Sequence, residues 1–146
     1  MDDSLWESDR IQIDKDIDRT FNEHKYFGVD CKGRETLRDL LYVLTLKYQH
    51  ILGYVQGMNF LVAGFLYHSW PEVALVLATS LIENYQLCDV YWGNLEGLHD
   101  HNLVVDKIIS EQKSRLYQHF IKCGVKCEMF TTSWILDLFA HLIPLD

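Results

Sequence analysis

Leu37-Arg38-Asp39-Leu40-Leu41-Tyr42-Val43-Leu44-Thr45-Leu46-Lys47-Tyr48 decides the fold. Leu37, Leu40, Leu41, Leu44 and Tyr48 recur at three- and four-residue steps, which puts them on one stripe of a helix. A half-buried strand would alternate, and this stretch does not. The stripe is broad enough to face a core, in a helix that begins after Gly33 and is interrupted by Gly53.

The same periodicity extends in both directions. Upstream, Ile13 and Ile17 stand one turn apart on a helix expected from about Ser8 to Phe21, with Ser8 or Asp9 as its N-cap. A loop is expected from His24 to Gly33. Downstream, Gly53 to Gly57 reads as a tight connection, and Met58, Leu61, Val62, Phe65 and Leu66 define a third helix ending near Trp70. Pro71 suits the first turn of a fourth helix running to about Leu87. Asp89 to Asp100 reads as a loop, and a long fifth helix from Leu103 to Phe120 is stopped by Gly124. A last helix carries Phe130, Trp134, Leu138, Phe139 and Leu142, and Pro144 ends it. The expectation is an all-α domain of about six or more packed helices, with residues 1–8 as a solvated tail and 9–146 as the core.

Composition agrees with one domain: 146 residues, 49% of them hydrophobic, can bury one substantial core. A net charge of -8 with no basic cluster argues against a nucleic-acid partner, whose phosphates require grouped Lys and Arg. Four cysteines are too few for a disulfide framework, and no secretory pattern opens the chain, so a reducing, cytoplasmic setting is expected. The longest apolar runs fall short of the roughly 20 residues that span a bilayer, so no membrane insertion is expected.

Two segments could carry chemistry. In Ile13-Asp14-Lys15-Asp16-Ile17-Asp18-Arg19-Thr20, Asp16 and Arg19 share a helix face, so the carboxylate can orient the guanidinium. The spacing admits an ordinary surface ion pair, or an arginine held at a helix end so that its fork can reach a phosphate on another molecule. In Gly53-Tyr54-Val55-Gln56-Gly57-Met58-Asn59, a neutral amide sits between glycines just before an apolar helix. Gln56 could orient a water against a phosphate, since an amide both donates and accepts. It could equally satisfy loose backbone groups at a helix start, as could Asn59.

Together, in this order, the segments resemble the TBC family of Rab GTPase-activating proteins. The family's Ile-x-x-Asp-x-x-Arg fingerprint matches Ile13, Asp16 and Arg19, followed by Thr20, and its Tyr-x-Gln-Gly-Met-Asn fingerprint matches Tyr54, Gln56, Gly57, Met58 and Asn59. The tail from Trp134 through Phe139 to Pro144 is similar to a late helix of the family. The resemblance implies an all-helical domain that accelerates GTP hydrolysis by a Rab GTPase. Arg19 would stabilise charge on the transferring phosphoryl group and Gln56 would position the attacking water. Asp16 would hold Arg19, while Tyr54, Gly57 and Asn59 would shape the glutamine loop. GTP and Mg²⁺ would come with the partner, so no cofactor or metal of the domain's own is implied. The alternative within the family is a binding module that recruits a Rab or another partner without speeding hydrolysis.

Two departures from the family pattern stand out. Asn22 occupies a position where proline is common, and the chain lacks the early Arg-and-Trp element and the helices beyond the late proline, so a core incomplete at both ends is expected. Other patterns fit less well. Gly28 to Gly33 has phosphate-loop spacing but continues Arg34-Glu35 where Lys and Ser or Thr are needed. His119, Cys123 and Cys127 invite a zinc reading but lack a fourth ligand. His99-Asp100-His101 has no nucleophile at a fitting spacing.

Overall fold

The computed structural model describes residues 3–85, 87–91, 93 and 95–145. Among them are eight helices and no strand: α1 (Asp3–Arg19), α2 (Lys32–Lys47), α3 (Met58–His68), α4 (Pro71–Asn84), α5 (Leu87–Tyr91), α6 (Glu96–Gln112), α7 (Ser114–Cys123) and α8 (Glu128–Leu136). The all-α expectation holds.

Helices α1 to α4 form the packed heart. The leucine stripe of α2 lies against α1, α3 and α4, with Leu37, Leu41 and Leu44 almost wholly buried. Ile13 and Ile17 of α1, Val62 and Leu66 of α3, and Ala74 and Ala78 of α4 close the same core. Each large aliphatic removed from water contributes about 1.5–3 kcal/mol, so α1 is anchored on its apolar face. Tyr48 adds a polar tie, donating to Glu83 Oε1 of α4 at 2.7 Å. From α4 the chain passes through α5 to a second group in which α6 touches α5, α7 and α8.

Several boundaries differ from the sequence expectation, each for a tertiary reason. Helix α1 begins at Asp3 instead of about Ser8, so the described part of the expected tail is helical. Trp6 supplies the cause, packing edge-on against Tyr42 of α2 with centroids 5.3 Å apart. The expected loop from Asp89 to Asp100 contains the end of α5 and the start of α6. There Gly97 lets the chain approach so closely that a Cβ would lie 2.2 Å from the Asp89 carbonyl oxygen. The long fifth helix is two, broken at Lys113. Tyr117 folds α7 back by donating to Asp106 Oδ2 at 2.8 Å, and Phe120 then reaches Phe130 of α8. The last helix stops at Leu136, because Leu138 and Phe139 take left-handed backbone conformations (φ 52° and 66°). Phe139, expected on that helix, lies beyond its end, about half exposed and stacked on Trp134 at 5.6 Å.

The patterns set aside above have structural settings of their own. Gly33 abuts Tyr26, whose carbonyl oxygen would sit 2.4 Å from an added Cβ. His101 Nδ1 pairs with the Gly97 carbonyl oxygen at 2.7 Å in the first turns of α6. His119 and Cys123 lie together on the exposed face of α7, whereas Cys127 is buried.

Candidate functional site

The C-terminal turn of α1 and the N-terminal turn of α3 meet over the core. Ile13 and Ile17 point into that core, and Asp16, on the same side, has a side chain only 1% exposed. Arg19 Nη2 pairs with Asp16 Oδ1 at 2.7 Å while the arginine side chain stays 49% exposed. A surface ion pair would leave both partners in water; here the anion is buried and the cation projects outward.

Buried carboxylates need donors, and Asp16 has three. Gln12 Nε2, one turn back, donates to Oδ1 at 2.9 Å beside Arg19, and the Tyr54 hydroxyl donates to Oδ2 at 2.8 Å. Tyr54 Oη also lies 3.2 Å from Asn59 Oδ1, which accepts the Gly57 N–H at 3.1 Å. Asn59 Nδ2 donates to Thr20 Oγ1 at 2.8 Å, and Thr20 in turn donates to the Asp16 carbonyl oxygen at 2.6 Å. The two segments are thereby joined side chain to side chain. Burial, reinforced by the Asp16 charge, pushes the Tyr54 hydroxyl far above its ordinary pKa, so it remains a donor at every physiological pH. Asp9 holds the loop from the other side, accepting the Tyr54 N–H at 3.2 Å, and burial raises its carboxyl pKa although that N–H lowers it.

Gln56 lies exposed at the tip of this loop. Its amide faces the Arg19 guanidinium, and the orientation that matches acceptor to donor places the oxygen 3.2 Å from Nη1 and also against Nη2. Gly57 makes the turn possible with φ 111°, and an added Cβ would press on Leu136 Cβ at 3.1 Å. Leu136 is fixed in turn by Tyr91, whose hydroxyl donates to its carbonyl oxygen at 2.6 Å. The end of α8 therefore walls the glutamine loop.

Arg19, Gln56, Gly57, Phe60, Leu136, Asp137 and His141 border a cleft of about 500 Å³ between the loop and α8. A second cleft of about 590 Å³ lies beyond Phe60 and runs along Asn22 and Glu23 to Pro144. Asn22 is exposed there, and the neighbouring Phe21, at φ 45°, packs edge-on against Phe60 at 5.4 Å, which ties the segment after Arg19 to α3. Asp137 is buried and pairs with His141 Nδ1 at 2.5 Å. Burial raises the Asp137 pKa, and the His141 partner works against that rise.

All six residues selected from the sequence, Asp16, Arg19, Tyr54, Gln56, Gly57 and Asn59, fall in this one cluster. Asp9, Gln12, Asp137 and His141 were not selected. Gln12 carried a usable signal, standing four residues before Asp16 on the same helical face. The others meet the site through contacts that no local pattern encodes.

Known proteins resemble this chain in sequence and in fold. The sequence profile of the Rab-GTPase-TBC domain matches residues 2–146. The GTPase-activating protein GYP5 of Eremothecium gossypii is 33% identical over 142 residues, covering 94% of this chain and 17% of that protein. The Rab GTPase-activating protein eat-17 of Caenorhabditis elegans is 31% identical over 134 residues, with 92% and 15% covered. The chain thus spans under a fifth of the length of these relatives. Among solved structures, the Ypt/Rab-GAP domain of Gyp1p superposes with TM-score 0.78 at 21% identity over 92% of this chain and 49% of that one. The Chlamydomonas flagellar RabGAP TBC domain gives 0.75 at 25% identity, over 98% and 48%. In sequence over its whole described length and in helical arrangement, the chain belongs to the Rab-GTPase-TBC domain family.

Proposed function

We propose that this chain is the catalytic part of a GTPase activator for a Rab-type small GTPase, with Arg19 and Gln56 acting in trans on GTP and Mg²⁺ carried by the partner. The observation that carries the reading is the meeting of Arg19 and Gln56 at the rim of one cleft, with the remaining fingerprint residues consumed in bracing them. Asp16 and Gln56 engage Nη1 and Nη2, which leaves Nε–H and one Nη1–H of the planar fork without a partner among the described residues. Those donors suit a phosphoryl group in transfer. Phosphoryl transfer asks for positioning and charge stabilisation, and an arginine supplied by an activator is worth about 10³ to 10⁵ in rate. That corresponds to about 4–7 kcal/mol of barrier. Gln56, neutral and exposed, can release Arg19 and orient the attacking water. Asp16 has no proton to move in this scheme and acts only as the anchor of Arg19.

Such a role places the domain at the cytosolic face of an organelle, where its partner resides. No helix among the described residues is long and apolar enough to cross a membrane.

The test is single-turnover GTP hydrolysis across a panel of Rab GTPases with wild type, Arg19→Ala and Gln56→Ala. Acceleration by wild type and its loss in both variants is the expected result. A chain that binds a Rab without accelerating hydrolysis would be a recruiting module, and an Arg19→Ala variant as fast as wild type would overturn the catalytic assignment.

A further inference from the structure

His141 and Asp137 are not part of either fingerprint, yet they border the same cleft as Arg19 and Gln56. The chain reverses at Leu138 and Phe139, both left-handed, and this brings Asp137 and His141 together outside any helix. The turn is fixed by the Phe139 N–H on the Trp134 carbonyl oxygen at 3.0 Å and by the stacking of those two rings. The Asp137 side chain is 4% exposed, and its Oδ2 is committed to Nδ1 of the ring. The contact of Oδ2 with Nδ1 engages that side of the ring and leaves Nε2 as the ring nitrogen that faces away from Asp137. Nε2 has no hydrogen-bond partner among the described residues. The ring rests against Phe60 with centroids 5.9 Å apart. Arg19, Phe60 and His141 line both clefts, so the imidazole and the arginine border the same two spaces.

We propose that His141, oriented by Asp137, is a hydrogen-bonding anchor for the docked GTPase, pairing Nε2 with a polar group of the partner surface next to the phosphate site. This rests on the reading of the chain as a Rab GTPase activator. The buried aspartate holds the ring in one direction, as carboxylates do for metal-ligating histidines. The contact lies off the reacting phosphoryl group, so it serves binding in ground and transition states alike.

The experiment compares wild type with His141→Leu, which keeps volume without a polar atom, and His141→Gln, which restores hydrogen-bonding groups. Two readouts are taken with a GTPase found by the Rab panel: single-turnover hydrolysis, giving KM and kcat, and affinity for the GDP-loaded GTPase with aluminium fluoride. His141→Leu should raise KM and Kd about two- to ten-fold, the size of one neutral hydrogen bond, with kcat lowered less than about two-fold. His141→Gln should recover most of that loss. A leucine variant equal to wild type in KM and Kd, or a glutamine variant as weak as leucine, overturns the proposal while leaving the Arg19 and Gln56 assignment standing. If wild type binds a GTPase without accelerating hydrolysis, the Kd comparison alone decides it and the catalytic reading fails separately. If no Rab is bound at all, both fall.

Discussion

In the amide orientation that matches acceptor to donor, the side-chain oxygen of Gln56 accepts a hydrogen bond from Arg19 Nη1 at 3.2 Å. The two exposed groups that would act on a partner thus satisfy each other in the free domain, and each holds the other near its working position. This preorganisation has a limit, because the amide must leave the guanidinium to orient a water. The bracing beneath, from Asp16 through Tyr54 to Asn59, keeps both backbones in place during that exchange.

Arg19→Lys should not rescue the loss expected for Arg19→Ala. A lysine ammonium is a point charge without the planar fork that spans Asp16 and Gln56 while keeping donors free. Single-turnover hydrolysis should fall about 10³-fold or more, within about ten-fold of the alanine variant.

Tyr54→Phe leaves Asp16 Oδ2 buried without its donor, since Gln12 and Arg19 both act on Oδ1. An unsatisfied buried acceptor costs about 1–3 kcal/mol. For a chain of this size the melting temperature should drop by roughly 3–10 °C, read by circular dichroism. Retention of the wild-type melting temperature would mean that the hydroxyl does not stabilise the buried carboxylate.

Gly57→Ala meets two obstacles at once, a φ of 111° and Leu136 Cβ at 3.1 Å. Left-handed strain costs an L-residue roughly 1–2 kcal/mol, and the crowding adds to it. Relief requires the loop to move away from α8, which carries Gln56 with it. Stability and the rate of stimulated hydrolysis should fall together, the rate by about ten-fold or more, as expected for an angstrom-scale misplacement.

Asp9 gives a pH signature. Burial raises its pKa in the folded chain, so the folded state binds the proton more tightly than the unfolded one. Its contribution to stability is fully present below about 3.8 and is lost as pH rises through the raised value. Asp9→Asn keeps an oxygen for the Tyr54 N–H but has no charge to desolvate. In urea unfolding the variant should gain on wild type from pH 4 to pH 7, and a constant difference between the two pH values would contradict the assignment.

Much of this protein was legible before its tertiary structure. The α2 leucines, Ile13 with Ile17, Pro71 and Gly57 mark helices, faces and turns through forces that act within a few residues, so periodicity and backbone chemistry suffice to read them. The two fingerprints likewise selected the six residues that cluster at the site. Other features depend on partners far along the chain. Trp6 extends α1 only because Tyr42 receives it, and Tyr117 breaks a continuous apolar pattern at Lys113 because Asp106 lies across the hairpin. The contact of Arg19 with Gln56, the grip of Asp9 on the Tyr54 N–H, and the turn that joins Asp137 to His141 beside them were likewise decided only by packing. Their energy comes from burial and from hydrogen bonds between segments that local propensity cannot bring together.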